Sequence, residues 1–460
     1  MDLNSVCYLS VIILLSAACY QYMEIGQFLP PEGIKSHKPM FEFLSEGSSF
    51  NCSKNSHQSV TCKFHNLCYA HADDAFIYVY SPNSKQVFVS DKFEYFATLP
   101  LTSAAHLNYY MKYLNLTDQF LEQNLLEENF IFKPGRYIIY SRFVAHNIFH
   151  LFHDELLPLF YTLHRHFEER EFSNIKLFIK DKADAGDIGY MYDLFSSDPP
   201  LFSFEVALET SHTLICFQEA IIGLARESTW FQFGFEEPEG PIKNSTATSK
   251  HIRQFTKYLY GKLNINPRSC KQNFGILLSR KKNRLLINEK ELRTAVSDHF
   301  QVDMMELSLE SNSLPYIIEK VSCAKLVIGV HGALLIMSMF LPPSSLVLEI
   351  FPYAMNPDHL THYKTLVQLP GMDINYTFWR NSEKSKTITH PNALPSQGGI
   401  RHLSYEEQQR IMNVTEVPHN VRGADAEWRY FLYQDTIVDI PAVIDTLTRS
   451  GFENILSKSP

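Results

Sequence analysis

The sequence predicts an α/β fold made of two doubly wound, Rossmann-like units that face a cleft and follow an apolar N-terminal segment. Three observations carry this. Strand-like apolar runs alternate with helical stretches on both sides of a polar segment at 235–250. The composition is globular, with 45% hydrophobic, 13% aromatic and 20% charged residues over 460, enough for two large units and unlike a disordered, collagenous or coiled-coil chain. A net charge of −9 argues against a general nucleic-acid or anionic-membrane binder, so local basic clusters become informative.

In chain order, residues 6–19 (VCYLSVIILLSAAC) form the one strongly lipophilic run, uncharged until Glu24. They read as a signal anchor over residues 1–22, with a cleaved signal peptide as the alternative because Ser16-Ala17-Ala18 resembles a cleavage site. Residues 23–50 read as a stem. Secretory entry is supported by N-x-S/T sequons at Asn51, Asn115, Asn244, Asn375 and Asn413, and by six cysteines beyond the apolar run, an even number suited to an oxidising lumen. Cys52, Cys62 and Cys68 lie close together and predict one local and one long-range bridge, paired as Cys52–Cys62 and Cys68–Cys216. A zinc site competes poorly, because there is no CxxC pair and no nearby histidine pair.

The first unit, 51–245, has strand-like runs at Tyr137–Arg142, Ile175–Lys180 and Leu214–Leu224, with a helix from Asn147 to His166 between the first two. Phe149, Phe152, Leu156, Phe160 and Leu163 form its apolar stripe. On an adjoining face His150 and Asp154 are four residues apart, the spacing of a histidine base oriented by a carboxylate. Pro158 cannot donate to the Asp154 carbonyl, which predicts a bend or loosening there. A solvated helix pair is the bland alternative, and metal ligation by His150, His153 and Asp154 ranks third. The run 229–235 (TWFQFGF) can stack a sugar ring or pack a seam between the units.

The second unit, 246–460, follows the polar linker. It reads as strands at Phe274–Arg280, Gln301–Leu307, Lys325–Val330 and Leu346–Phe351, with helices at Glu289–Phe300, Leu314–Ala324 and Ala333–Phe340. Asn288 with Glu291 predicts a capping box, and 380–402 a long polar loop. The cluster 280–284 (RKKNR) follows the first of these strands, where α/β sheets hold ligands, and arginine forks suit a diphosphate. His331-Gly332-Ala333 joins a strand to a helix start, with Gly332 expected to allow a tight turn. Glu349 interrupts an apolar strand, so it lies on an edge or binds something such as ribose hydroxyls.

The stretches NIFHLFHDELLPLFYTL (147–163), TWFQFGFEEPEGP (229–241), LLSRKKNRLLINEKEL (277–292) and FLPPSSLVLEIFPYAMNPDH (340–359) resemble glycosyltransferase family 61. The resemblance runs from about residue 40 to 450. It implies the GT-B architecture and inverting transfer of GlcNAc from UDP-GlcNAc to the 4-position of O-linked mannose on a protein such as α-dystroglycan, by a type II endoplasmic-reticulum membrane enzyme. The family's N-x-x-H-x-x-x-D motif falls on Asn147, His150 and Asp154, preceded by Arg142. Its basic motif falls on Arg280 and Arg284, and its HGA turn on His331, Gly332 and Ala333. The resemblance assigns Arg142, Asn147 and these last five to the donor; His150 is expected to be the base, oriented by Asp154. No cofactor is expected, and no metal, since the sequence contains no D-x-D pair. Vertebrate members of that enzyme carry a fibronectin type III domain after the catalytic part, whereas this chain stops at Pro460. The rival functions are an EGF-domain-specific O-GlcNAc transferase and a non-catalytic sugar-binding lumenal protein.

Overall fold

The computed structural model describes residues 46–457 except 55–59, 72–73, 81–94, 105–107, 116–129, 206–213, 236–237, 268–272 and 422. The expected anchor, most of the stem and Cys270 lie outside these residues. Among the described residues no helix is long and apolar enough to cross a membrane.

The first half builds a nine-stranded sheet from β1 (Ser49–Lys54), β2 (Val60–Ala70), β3 (Ala75–Tyr80), β4 (Tyr95–Pro100), β5 (Asn108–Asn115), β6 (Phe130–Tyr140), β7 (Ile175–Ile179), β8 (Leu201–Phe202) and β9 (Leu214–Ile222). Their order is β4-β5-β3-β2-β9-β6-β7-β8, with β1 added on β2. Only β9, β6, β7 and β8 form the expected parallel block. The wholly doubly wound first unit is therefore corrected to a mixed sheet, because β2 runs antiparallel to β1, β3 and β9. Parallel pairing needs a long crossover, and the helix α1, running from Ile148 to His166, supplies one between β6 and β7. Register places Cys52 opposite Cys62 and Cys68 opposite Cys216, and both pairs are disulfide-bonded as expected. Cys323 is also disulfide-bonded.

The main sheet of the second half is parallel: β12 (Phe274–Leu278), β13 (Asp303–Leu307), β14 (Leu326–Val330), β15 (Leu346–Phe351) and β16 (Asn375–Arg380), ordered β13-β12-β14-β15-β16. Between the sheets lie two short strands, β10 (Phe231–Gln232) and β11 (Gly240–Pro241). Successive crossovers leave β12 on opposite sides, making the β12/β14 boundary the switch point where such sheets bind ligands. The apolar run of β14, and that of β15 apart from Glu349, reflect burial on both faces.

Among the helices, α1 comprises an α-helical start at Ile148–His150, a π-helical stretch at Leu151–Leu156 and an α-helical end at Leu157–His166. Next come α2 (Ser249–Leu263), α3 (Glu289–Phe300) and α4 (Leu314–Val321), and then a 3₁₀ helix at Ala333–Phe340. The capping box expected at α3 does not form: Asn288 instead exchanges bonds with Val438, Nδ2 to its carbonyl and Oδ1 from its N–H, both 2.8 Å. The two sheets share one buried cluster, with Ile138, Ile179 and Ile221 from the first, Ile276, Val327 and Val347 from the second, and α1, Trp230 and α2 between them.

Candidate active site

The site begins with the way α1 is built. Asn147 caps it, its side chain accepting from Phe149 N–H at 2.9 Å. Pro158 leaves the Asp154 carbonyl without its α-helical donor, and the buried Ser103 hydroxyl donates to that carbonyl at 2.7 Å. The loosening that proline predicts takes the form of the π-helical stretch, a feature frequent at functional sites.

Within it Asp154 holds two histidines. His150 Nδ1 lies 2.6 Å from one carboxylate oxygen and His153 Nδ1 2.7 Å from the other. The N–H groups of Trp230 and Phe231 donate to His153 Nε2 at 3.2 and 3.3 Å, so the proton of His153 sits on Nδ1 and points at Asp154. Burial pushes the Asp154 carboxyl up, but His153 and His150 outweigh it and hold it at about 2. An ionised Asp154 accepts a hydrogen bond from His150 Nδ1–H, leaving Nε2 as the lone-pair nitrogen. Among the described residues that nitrogen has no hydrogen-bond partner, and the side chain is 12% exposed. Around it stand Phe143 at 4.9 Å and Phe233 at 5.0 Å between ring centroids, with Phe235, 51% exposed, against Phe143. Both oxygens of Asp154 and both nitrogens of His153 are engaged by protein groups, which is not the arrangement of a metal shell.

Asn147 and Ile148, one turn earlier on α1, line a cleft of about 300 Å³ whose opposite wall carries Ser279, Arg280, Arg284 and Ala333. His150 itself is outside that lining. Arg280 is held by Asn283, Nε on its carbonyl at 3.0 Å and Nη2 on its Oδ1 at 2.9 Å. Arg284, at a left-handed φ of 56°, donates from Nη1 to the His331 carbonyl at 3.1 Å and lies 4.6 Å over the Tyr433 ring. A Cβ at Gly332 would sit 2.8 Å from Arg284 Nη1 and 3.1 Å from Arg280 Nη1, so glycine is needed for this close approach. The expected reason, a tight turn, is corrected, because Gly332 has an extended φ of 161° that any residue adopts. Among the described residues neither guanidinium has a carboxylate within ion-pairing distance, and Arg284 Nε is buried without a partner. Burial and then the neighbouring Arg284 push Arg280 down to about 10. Two converging cations left uncompensated at a switch point suit a bound anion.

Two expected donor contacts are placed elsewhere. Arg142, its side chain 1% exposed, forks onto Asp181 from Nε at 2.8 Å and Nη2 at 2.7 Å, and Nη1 meets the Asp184 carbonyl at 2.7 Å. It braces the loop at 181–188, which lends Ile188 to the cleft, and is outside the cleft lining itself. Glu349 lies on neither an edge nor a ligand surface. Its strand is flanked by β14 and β16, and its fully buried carboxyl accepts from Tyr376 Oη at 2.6 Å and meets His331 Nδ1 at 2.6 Å. Burial pushes Glu349 up to about 8; burial, then Arg284 and Arg280, push His331 down to about 3. Both are thus neutral, with the protonated carboxyl donating to the ring, and together they back the His331 carbonyl that receives Arg284. Of the sequons, Asn51, Asn244, Asn375 and Asn413 are exposed, while the Asn115 side chain lies outside the description. Sequence reasoning missed Tyr433 and Asn283 as supports of the arginines and Glu310 in the cleft lining. Nothing local in the sequence marks Tyr433, whose role depends on the return of a distant segment.

The profile of the family Glycosyltransferase 61 matches residues 75–348. Among similar proteins, that of Canis lupus familiaris is 37% identical over 417 residues, covering 89% of this chain and 70% of its own. That of Homo sapiens is 37% identical over 414 residues (88% and 70%), and that of Tetraodon nigroviridis 36% over 430 (92% and 72%). All three are named protein O-linked-mannose beta-1,4-N-acetylglucosaminyltransferase 2. E. coli heptosyltransferase WaaC with ADP aligns at a TM-score of 0.28 and 10% identity, over 53% of this chain and 90% of that one, too slight a likeness to argue from. With the family profile spanning more than half of its residues and relatives alike over about nine-tenths of its length, the chain belongs to glycosyltransferase family 61.

Proposed function

We propose that this enzyme transfers N-acetylglucosamine from UDP-GlcNAc, with inversion, to the 4-hydroxyl of mannose O-linked to a protein such as α-dystroglycan. The observation that carries it is the convergence of Arg280 and Arg284 on Gly332 without carboxylate partners. The names of the relatives supply the sugar and the acceptor. In this reading mannose O4 attacks the anomeric carbon of GlcNAc, the bond from that carbon to the diphosphate oxygen breaks, and the O4 proton passes to His150 Nε2. Asp154 stabilises the resulting imidazolium. The arginines and the backbone N–H groups at the start of the 3₁₀ helix take up the charge of departing UDP, without a metal or other cofactor.

The assignment of residues 246–460 to the donor and 51–245 to the acceptor, as in a GT-B enzyme, belongs to the same reading. So does anchoring by residues 1–22 as a single-pass type II protein of the endoplasmic-reticulum membrane, with which the paired cysteines and exposed sequons agree.

The test is UDP release from UDP-GlcNAc by purified protein given an O-mannosyl peptide, the bare peptide or an EGF domain. Release with the mannosyl peptide alone is expected. Release only with the EGF domain, or none with any acceptor, overturns the reading. In calorimetry Arg280→Ala should weaken UDP by ~1.5–3 kcal/mol, the range for a hydrogen bond to a charged group. Unchanged affinity in a folded variant removes Arg280 from the site.

A further inference from the structure

We propose that Glu155 is a positioning residue for the transfer: gripped by Tyr192, it fastens the π-helical stretch that carries Asp154 to the segment 181–195 that walls the cleft. This rests on the reading of His150 and Asp154 as the base and its partner, and adds what holds that pair in place against the donor.

The placement follows from the helix, in which adjacent residues project to different sides. Asp154 turns to His150 and His153, and Glu155, 2% exposed, turns to Tyr192, whose hydroxyl donates to its Oε2. Tyr192 belongs to a 3₁₀ helix at Gly189–Phe195 that starts directly after Ile188, a residue of the cleft lining. The other end of the same segment is held by Arg142, through Asp181 and the Asp184 carbonyl. The wall is thus fastened twice, and of the two it is the Glu155–Tyr192 bond that reaches the helix bearing the base. That helix is irregular at this point, where Pro158 leaves the Asp154 carbonyl to the Ser103 hydroxyl, so a further hold on the stretch matters most here.

A fully buried glutamate has to be paired or neutral. Burial pushes Glu155 up; the Tyr192 hydrogen bond and Arg142 pull it back, Asp154 and Asp181 raise it further, and it settles at about 8. Arg142 is committed to Asp181, so it does not hold Glu155 as an anion. At neutral pH Glu155 is therefore mostly the acid, and the ionised carboxylate of the turn is Asp154. The remaining groups that face Glu155 are Tyr140 of β6 and Tyr192, and burial pushes both hydroxyls well above their usual range, so they stay protonated. Above about pH 8 Glu155 ionises, and a second negative charge appears beside Asp154 and near Asp181. The repulsion loosens the hold on the stretch, whereas a base such as His150 only gains activity as pH rises.

The experiment measures the pH profile of kcat for UDP release with the O-mannosyl peptide, together with UDP affinity by calorimetry, for wild type, Glu155→Gln, Glu155→Ala and Tyr192→Phe. Wild type should lose activity as pH rises past about 8. Glu155→Gln, neutral at every pH and still able to accept from Tyr192, should keep most of the neutral-pH rate and lack that fall. Glu155→Ala should lower kcat about tenfold or more at neutral pH, the scale of a misplaced catalytic group, with UDP affinity within about twofold of wild type. Tyr192→Phe, which removes only the donor, should move kcat in the same direction and decides the matter if the alanine variant does not fold. An alkaline fall that is missing in wild type or unchanged in Glu155→Gln, or wild-type kcat in Tyr192→Phe or in folded Glu155→Ala, overturns the inference while leaving His150 as the base. Wild type that releases no UDP with any acceptor, or near-normal turnover in His150→Ala, overturns the reading on which it rests.

Discussion

In the proposed reading His150 is the base, and the company its partner keeps equips it for that role. A lone histidine–carboxylate pair four residues apart on a helix surface is weak and mobile. Here Asp154 is buried, fixed from its other side by His153, and His153 is fixed in turn by the backbone of Trp230 and Phe231. The carboxylate therefore stays charged, sets the His150 tautomer and waits for the imidazolium that proton transfer creates. His150→Ala should keep UDP affinity while kcat falls ~10²-fold or more, the usual share of a general base. Asp154→Asn should be milder, because an amide oxygen can still accept from Nδ1. Near-normal turnover in a folded His150→Ala would return the pair to a role in holding α1. The spacing of His150 and Asp154 was visible in the sequence. The part of His153 was not, since its donors come from a segment more than seventy residues away.

At the scale of elements, α1 owes its irregular centre to one proline and one serine. Pro158 removes a donor that the Asp154 carbonyl would otherwise use, and Ser103, reaching in from the loop after β4, supplies another. Both groups are buried, so Ser103→Ala leaves the carbonyl short and should cost ~1–3 kcal/mol, read as a lower urea midpoint. A midpoint equal to wild type would mean that the carbonyl is served within the helix. Elements buried on both faces were legible as strongly apolar runs, which is why β12, β14 and β15, the last despite Glu349, were anticipated. β16, with its half-exposed NYTFWR, carries no such run, and β1 to β5 pair mostly antiparallel, in an order that local sequence does not encode. Glu349 was misread for the same reason: strand β16, unseen, covers the side on which it was expected either to lie at an edge or to bind something such as ribose hydroxyls.

At the scale of the whole molecule, the question is how a chain with a net charge of −9 holds a diphosphate. Two phosphates need compensating charge, most of all as the leaving group departs, and many sugar-nucleotide transferases supply it with a divalent ion held by a D-x-D pair. This sequence has none; Asp181, Asp184 and Asp187, at spacing three, come closest, and the first two serve Arg142 and His146. Arg280 and Arg284, by contrast, are kept free of carboxylates in a molecule that has more acids than bases, and Gly332 clears the space between them. Arginine stays charged at any working pH, so the site is preset for an anion in the absence of an ion. Extensively dialysed enzyme should therefore keep most of its transferase activity in excess EDTA. Activity abolished by EDTA and restored by manganese would mean that the arginines are not sufficient, and would reopen His150, His153 and Asp154 as ligands released from their present bonds when the ion enters.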